Sequence, residues 1–238
     1  MTEIIFGASS GIGLETVKYI LSNSDNHILG ISRRSKPSEF EFNERLSWFK
    51  YSENEDPEVL AENLKSHINS NKIEVSSLIL CAGILNTGSA ISFKAIDVDS
   101  MFKVNFFYHI YIVRALVPKM LKNGGSIVAV SSSAAENNSE GRSIYNSTKS
   151  ALESFVLTLG QEVGVKGIRA NIVRPGLTNT EIMHSTTSQN GKEIFIESSA
   201  LKRVSEPEDI ASVIYFLISD MSKSISCATI SAHGGARV

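Results

Sequence analysis

Short apolar runs alternate with longer amphipathic segments along the whole chain, and this alternation restricts the fold more than any other feature. The runs predicted as strands are residues 4–6, 27–31, 46–51, 77–81, 126–131, 167–173 and 228–231. Helix-period segments separate most of them, for example residues 144–163. Strands that alternate with helices predict a parallel sheet with helices on both faces. We therefore expect an α/β fold with one doubly wound parallel sheet of about seven strands.

The sequence contains no linker, internal repeat or low-complexity tract, so residues 1–238 are predicted to form a single domain. Residues 33–45 carry Pro37 and weak periodicity, which predicts a short second crossover without a full helix. Residues 177–201 are polar and predict a long loop. Loops of that length in a compact domain are usually functional, so this one is expected to select the substrate.

Charge and composition exclude several classes of function. The sequence has 23 Lys and Arg against 25 Asp and Glu, a formal net charge of −2, which offers no basic face for nucleic acid. No stretch approaches the roughly 18 consecutive apolar residues of a membrane span, so no membrane association is expected. Cys81 and Cys227 lie among apolar residues without metal-ligand spacing, which predicts buried, reduced thiols and no metal site. The first predicted strand begins too early for a signal peptide, so a cytoplasmic location is expected.

A glycine-rich segment follows the first predicted strand and opens the first helix. It runs Gly7-Ala8-Ser9-Ser10-Gly11-Ile12-Gly13. Glycines let the backbone turn tightly and approach a pyrophosphate, while the helix N-terminus supplies unpaired N–H groups. The spacing is G-x-x-x-G-x-G rather than the dinucleotide fingerprint G-x-G-x-x-G, so by itself the segment is also compatible with an ordinary strand-to-helix turn.

The end of the second predicted strand bears on the identity of the nucleotide. NAD sites usually place Asp or Glu there for the adenosine ribose, whereas this chain has Ser32, Arg33 and Arg34. Guanidinium groups pair with a 2′-phosphate, which a carboxylate would repel. NADP(H) is therefore favoured over NAD(H), although two arginines in a loop are also compatible with a solvated surface.

Tyr145 and Lys149 lie four residues apart, on one face of a predicted helix. A free tyrosine has a pKa of about 10, and a neighbouring ammonium lowers it. Tyr145 would then donate a proton to a carbonyl oxygen in reduction, or accept one from an alcohol in oxidation. By itself such a pair is more often an exposed helix contact. However, Ser132 follows the predicted strand 126–131, at the sheet edge where ligands bind.

Together these motifs resemble the short-chain dehydrogenase/reductase family in its compact one-domain form, similar to 3-oxoacyl-acyl-carrier-protein-reductase-like members. In that family the catalytic serine lies thirteen positions before the tyrosine, as Ser132 lies before Tyr145. Asn105 matches the fourth member of the Asn-Ser-Tyr-Lys tetrad, and Pro175-Gly176 followed by Thr180 matches the segment beside the nicotinamide. The resemblance covers essentially the whole chain and implies a Rossmann-like fold.

The resemblance also implies a role for each matched residue. Ser132 would polarise the substrate oxygen, Tyr145 would exchange the proton, and Lys149 would lower the tyrosine pKa and hold the nicotinamide ribose. Asn105 would anchor a water in a proton relay, although a helical Asn often satisfies backbone groups alone. The residues implied in cofactor binding are Gly7, Ser9, Ser10, Gly11, Ile12, Gly13, Ser32, Arg33, Arg34, Ala82, Gly83, Tyr145, Lys149, Pro175, Gly176, Thr178 and Thr180.

Several positions depart from the family pattern. Phe6 stands where a Thr usually precedes the glycine segment, and Ser10 stands where many NADP-preferring relatives carry a basic residue. The Asn-Asn-Ala-Gly motif after the fourth strand has lost both asparagines, which are Leu80 and Cys81 here. These changes concern adenine placement and sheet stability more than hydride transfer.

The residues and the resemblance predict an NADP(H)-dependent oxidoreductase that interconverts a carbonyl and an alcohol on a small-molecule substrate. Two alternatives stay open: a regulatory protein that senses NADP(H) without turnover, and an epimerase or dehydratase with a tightly held nucleotide. A sensor has no physical need for Ser132 and Tyr145 together, and the compact length argues against the epimerase. Arg142 is either a contact for an anionic substrate or a solvated loop charge. The family implies a homodimer or homotetramer packed through helices in residues 98–122 and 144–163.

Overall fold

The computed structural model describes residues 1–136 and 139–236. Within these ranges seven strands form one sheet in the order β3-β2-β1-β4-β5-β6-β7, and each neighbouring pair is parallel. The strands are β1 (Thr2–Phe6), β2 (His27–Ser32), β3 (Leu46–Lys50), β4 (Val75–Leu80), β5 (Gly125–Val130), β6 (Ile168–Pro175) and β7 (Thr229–Ala232). The predicted doubly wound parallel sheet is confirmed.

Helices connect the strands and cover both faces of the sheet. They are α1 (Gly11–Asn23), α2 (Pro57–Ser70), α3 (Ala95–Phe102), α4 (Tyr108–Met120), α5 (Ser143–Val163), α6 (Glu181–Thr186), α7 (Gln189–Ser198) and α8 (Pro207–Ile218). A π-helical segment, Lys103–Phe107, joins α3 to α4. Among the helices of the described ranges, none is long and apolar enough to cross a bilayer.

Two hydrophobic cores lie on opposite faces of the sheet. Ile4 and Phe6 of β1 belong to the core beneath α2, α4 and α5, whereas Ile5 belongs to the core beneath α1 and α8. Successive side chains of a strand point to opposite faces, so β1 is buried on both sides, as a central parallel strand requires.

The second crossover follows the sequence prediction. Residues 33–45 are all described, and the only helical segment in them is the 3-10 turn Ser38–Phe40. Pro37 precedes that turn with φ −59°, and the turn contributes no buried residue. A crossover with so little apolar surface to bury has no driving force for a longer helix.

The polar segment 177–201 departs from the sequence prediction of a loop, because α6 and α7 occupy most of it. Side-chain oxygens cap both helices: Thr180 accepts from the N–H of Met183 at 3.4 Å, and Ser188 accepts from that of Gly191 at 3.1 Å. Helix α7 buries none of its residues completely. A helix without a buried face leaves only a weak apolar period in the sequence, which is why the loop prediction was wrong.

The connectivity of the sheet creates a crevice at the carboxyl ends of β1 and β4. From β1 the chain proceeds to β2 and β3 on one side, and β4 to β7 follow on the other. Ligands bind at such a switch point in open α/β sheets. Cys81, the first residue after β4, borders this crevice. It and Cys227 are free and half-buried, where the sequence analysis predicts buried thiols.

Glu3 of β1 is a buried acid whose titration is coupled to folding. Its carboxylate accepts hydrogen bonds from Asn26 Nδ2 at 2.8 Å and from the Ser77 hydroxyl. Burial raises the pKa of Glu3 from 4.5 to about 7, although neighbouring hydrogen bonds oppose the shift. Between these values the folded protein binds the proton more tightly than the unfolded chain. The free energy of unfolding contributed by Glu3 should therefore fall as pH rises through this window, by about 3 kcal/mol in total.

Urea unfolding of the wild type and a Glu3→Gln variant at about pH 5 and about pH 8 measures this contribution. We expect the free energy of unfolding of the wild type, relative to that of Glu3→Gln, to fall between these two pH values by most of the ~3 kcal/mol. Glu15→Gln, at a half-buried position of α1, is the matched control and should follow the wild type. A Glu3→Gln variant with the same pH profile as the wild type would contradict the coupling.

Candidate active site

The turn after β1 brings α1 close to the sheet. Gly7 has φ +90° and Gly11 has φ +52°, a region that side chains with a Cβ rarely adopt. A Cβ at Gly13 would lie 2.9 Å from the carbonyl carbon of Gly7 and collide with its oxygen. Ser10 begins α1 without a side-chain capping bond. The first-turn N–H groups of α1 are thus left for an anionic ligand.

A cavity of about 460 Å³ lies in the crevice and takes in most of the residues predicted to bind the cofactor. The predicted residues that line it are Gly7, Ser9, Ser10, Gly11, Ile12, Gly13, Ser32, Arg33, Arg34, Ala82, Gly83 and Thr180. The predicted residues that do not line it are Tyr145, Lys149, Pro175, Gly176 and Thr178. Apart from Thr180, which follows β6, the first group comes from the segments at the carboxyl ends of β1, β2 and β4, which a parallel sheet necessarily places at one edge.

Sequence reasoning missed seven residues of the cavity wall. They are Tyr51, Cys81, Ile84, Val104, Glu181, Ile182 and Ser185. Tyr51 follows β3, and Cys81 and Ile84 flank the predicted pair Ala82 and Gly83, so position at a strand end would have indicated these three. The residues of α6 had no such signal, because the sequence predicts a loop there.

Both arginines predicted to bind a 2′-phosphate form ion pairs across the cavity rim. Arg33 Nη1 lies 2.5 Å from Glu53 Oε1. Arg34 forms two hydrogen bonds with Glu181 of α6, at 2.8 and 3.2 Å. Thr180 lies against the glycine turn as well, with its Cγ2 3.2 Å from where a Cβ of Gly11 would be. The N-terminal end of α6 therefore contacts both Arg34 and the glycine turn at the cavity.

Helix α5 presents Tyr145 and Lys149 on the same face, as their spacing predicts. Lys149 is buried, and its Nζ donates a hydrogen bond to the Val130 carbonyl oxygen at 3.0 Å. The same Nζ lies 5.9 Å from the centroid of the Tyr145 ring. Burial lowers the pKa of Lys149 to about 8, while Cys81 and Glu153 oppose the shift.

Ser132 lies opposite Tyr145, in the turn that follows β5. Burial raises the pKa of Tyr145, while a hydrogen bond with Ser132 and the charge of Arg142 oppose that shift. The sequence analysis predicts instead that Lys149 lowers the pKa of Tyr145. In the structure the Lys149 ammonium donates to the Val130 carbonyl and burial is the largest influence on the pKa of the phenol, so a lowering by Lys149 stays a prediction. Tyr145 is consequently protonated near neutral pH.

Asn105 lies in the π-helical segment, a type of helix distortion that is frequent at functional sites. Its Oδ1 accepts from the N–H of Ile84 at 2.8 Å, and its Nδ2 donates to the Ile84 carbonyl at 2.9 Å. Nδ2 also donates to Thr148 Oγ1 at 3.0 Å. Asn105 therefore attaches the loop after β4 to helix α5, which agrees with the backbone-satisfying role that the sequence leaves open.

His109 of α4 is a buried residue near the site that sequence reasoning missed. Its Nε2 lies 3.0 Å from the Ala82 carbonyl oxygen, and its ring contacts that of Phe6 edge to face at 5.3 Å. Burial and the charge of Lys149 lower the pKa of His109 to about 3, so the imidazole is neutral. The loop after β4, which lacks the family's two asparagines, is thus held by His109 and Asn105.

The segment after β6 packs against the end of β7 and against α7, and of its predicted residues only Thr180 lines the cavity. The Gly176 N–H donates to the Ala232 carbonyl at 3.2 Å, and Thr178 Oγ1 donates to the Gly176 carbonyl at 3.1 Å. A Cβ at Gly176 would lie 2.8 Å from Phe195 Cζ.

Within residues 1–136 and 139–236, no group of three His, Cys, Asp or Glu side chains could hold a metal ion.

The contact between Gly13 and Gly7 generates a test of the glycine turn. A Gly13→Ala variant should lose most of its affinity for NADPH, because the new methyl group collides with backbone that cannot move away cheaply. Gly164→Ala is the matched control, since nothing lies within 4 Å of its added Cβ. Fluorescence titration with NADPH and thermal unfolding measure both effects. Wild-type affinity in Gly13→Ala would contradict the close approach described above.

Comparison with known proteins assigns the chain to a family. Residues 52–237 match a family model described as enoyl-(acyl carrier protein) reductase. The uncharacterized oxidoreductase YmfI of Bacillus subtilis (strain 168) is 30% identical over 242 residues, 98% of each chain. The 3-oxoacyl-[acyl-carrier-protein] reductase FabG of Chlamydia pneumoniae is 29% identical over 98% of this chain and 95% of its own.

Solved structures share the architecture over nearly the whole chain. A short chain dehydrogenase family protein from Francisella tularensis subsp. tularensis SCHU S4 has a TM-score of 0.86 at 24% identity, covering 98% of this chain and 97% of its own. ElxO with NADP bound has a TM-score of 0.87 at 23% identity, with the same coverage. The fold is thus Rossmann-like, and the chain belongs to the short-chain dehydrogenase/reductase family of oxidoreductases.

Proposed function

We propose that the protein transfers hydride between NADP(H) and a carbonyl or alcohol substrate, with Tyr145 as general acid and base. The observation that carries the proposal is the position of Tyr145 on α5 beside the buried Lys149, whose Nζ lies 5.9 Å from the ring centroid, with Ser132 near enough to influence the pKa of Tyr145. A protonated tyrosine beside a hydroxyl is the arrangement that a carbonyl oxygen needs in order to accept a proton.

The glycine turn and the cavity fit a dinucleotide. The first turn of α1 has no side-chain cap and opens onto the cavity, where its N–H groups can bind a phosphate. Gly7, Gly11 and Gly83 line the same cavity, so no side chain at these positions occupies it. When bound, the nicotinamide supplies or accepts the hydride, and the protein supplies orientation and electrostatics.

The protein's own groups divide the remaining work. Ser132 polarises the substrate oxygen by hydrogen bonding, and Tyr145 gives that oxygen a proton in reduction. The raised pKa of Tyr145 keeps the phenol protonated, the form that a general acid needs. Lys149, whose ammonium donates to the Val130 carbonyl, would hold the nicotinamide ribose. Asn105 fixes the loop after β4 against α5 rather than exposing a free group.

Preference for NADP(H) rests on Arg33 and Arg34 at the end of β2. Both line the cavity, and both are exposed enough to exchange a carboxylate partner for a phosphate. Glu181 competes for Arg34, so a 2′-phosphate would have to displace it. An exposed ion pair of this kind contributes about 0–1 kcal/mol, which is less than the gain from charged hydrogen bonds to phosphate.

Relatives with named activities support a small carbonyl or alcohol substrate. They include 3-oxoacyl-[acyl-carrier-protein] reductases, an L-rhamnose 1-dehydrogenase (NAD(P)(+)) and 2,3-dihydro-2,3-dihydroxybenzoate dehydrogenases. We infer a cytoplasmic location and a homodimer or homotetramer. The exposure of Ile96 on α3 and of Phe107 beside α4 supports the oligomer. Arg142, whose charge acts on Tyr145, stays a candidate contact for an anionic substrate.

Tyr145→Phe separates an enzyme from a nucleotide sensor. The substitution should lower kcat by at least about 100-fold, since it removes the proton donor, while the NADPH dissociation constant changes little. Turnover is followed at the NADPH absorbance with acetoacetyl-CoA and ethyl acetoacetate, and with L-rhamnose plus NADP⁺; these three compounds are the probe panel. Tyr19→Phe on α1, where the ring packs on Tyr215 at 5.5 Å, is the matched control. A Tyr145→Phe variant as active as the wild type would contradict the proposal.

The nucleotide preference is tested by titrating NADPH and NADH separately. An Arg33→Ala/Arg34→Ala variant should bind NADPH about 10- to 100-fold more weakly and NADH nearly as before, since only the phosphate contacts are lost. Glu181→Gln should tighten NADPH binding up to about fivefold by freeing Arg34. Glu193→Gln, on neighbouring α7, is the control. A wild type that prefers NADH would overturn the preference.

A further inference from the structure

Arg174 lies at the point where three parts of the candidate active site meet. It is the penultimate residue of β6 and directly precedes the Pro175-Gly176 segment. Its side chain is 15% exposed and is not part of the cavity wall described above. A largely buried guanidinium needs partners for its charge, and two carboxylates provide them.

The first partner is Glu153 of helix α5, one turn after Lys149. Arg174 Nε donates to Glu153 Oε1 at 2.7 Å, and Nη2 donates to Oε2 at 2.5 Å. The Glu153 side chain is only 8% exposed. This two-pronged geometry suits the planar guanidinium and restricts the rotation of α5 about its axis, which a single bond from a flexible ammonium would not do.

The second partner is Glu136, immediately after the turn that Ser132 begins. Ser132 caps that turn by accepting from the Ala134 N–H at 3.1 Å. Arg174 Nη1 forms an ion pair with the Glu136 carboxylate. The guanidinium therefore also holds the far end of the Ser132 turn, which the strand ladder itself does not reach, since β5 ends at Val130.

We propose that Arg174 is a positioning residue that sets the distances between Ser132, Tyr145 and the segment after β6. This inference rests on the proposed function. One guanidinium connects the Ser132 turn, helix α5 and the end of β6, so the two hydroxyls that face the substrate oxygen are fixed relative to each other. Glu153 transmits the constraint to the Lys149 face of α5, and Glu136 transmits it to Ser132.

Loss of this constraint should affect the reaction more than binding. Displacing catalytic groups by about 1 Å can lower the rate about 100-fold, whereas the nucleotide cradle lies at β1 and does not touch Arg174. Arg174→Met should therefore lower kcat about 10- to 100-fold on any compound of the probe panel that the wild type converts. The NADPH dissociation constant and KM should stay within about twofold. Arg174→Lys, which keeps one charged contact, should recover part of kcat.

Arg169→Met is the matched control. Arg169 lies on the same strand, and its guanidinium donates to the backbone carbonyls of Leu217, Ser219 and Ile225, away from the site. This variant loses as many hydrogen bonds but should keep wild-type kcat. Equal loss of kcat in both variants, or wild-type kcat in Arg174→Met, would overturn the positioning role. If Arg174→Met does not fold, kcat is measured in Arg174→Lys and in Glu153→Gln, which change the same contact from its two sides. Wild-type kcat in both variants would then overturn the positioning role.

Hydrogen exchange followed by mass spectrometry separates this inference from the proposed function. In Arg174→Met, peptides covering residues 131–136 and 143–149 should exchange faster, whereas in Arg169→Met they should not. A wild type that converts no member of the probe panel would count against the proposed function, and the exchange result would still decide whether Arg174 holds the two segments. Unchanged exchange in both segments would overturn the inference.

Discussion

Close packing of α1 on the turn after β1 is the constraint on which the rest of the site depends. The carbonyl of Gly7 occupies the space that a Cβ of Gly13 would need, so helix and turn meet at a distance that only glycine permits. This contact brings the uncapped first turn of α1 to the carboxyl edge of the sheet. The crevice between β1 and β4 lies next to this turn. It forms because the chain leaves these two strands in opposite directions.

Buried charges organise the part of the cleft where the reaction is proposed. Lys149 is fully enclosed yet held by a backbone carbonyl, and Glu153 one turn later is held by Arg174. Each charge would be costly to bury without its partner. The resulting arrangement keeps α5 in one orientation. It leaves the Tyr145 phenol beside Ser132 and within reach of the charge of Arg142, and burial raises the pKa of that phenol.

Departures from the family pattern are compensated by neighbours in space rather than in sequence. Leu80, the last residue of β4, and Cys81, the first residue of the loop after it, stand in place of two asparagines. The backbone of this loop is bound by the imidazole of His109 and the amide of Asn105, both from the segment that begins α4. Phe6, which replaces a threonine, packs its ring against His109. An aromatic contact and three side-chain hydrogen bonds from other elements thus stand where the family has a polar motif.

The sequence by itself determined the parallel sheet, the glycine turn and the face of α5 that carries Tyr145 and Lys149. These features depend on local periodicity and on residues a few positions apart, so they are visible in one dimension. Only the tertiary structure decided the helices of residues 181–198, because their caps are polar and their buried surface is small. It also decided the partners of Arg34, Asn105 and Arg174, since each pairs with a residue at least 21 positions away. The tertiary structure also decided the direction of the pKa shift of Tyr145. Burial is its largest cause, and burial depends on what the fold packs around a side chain.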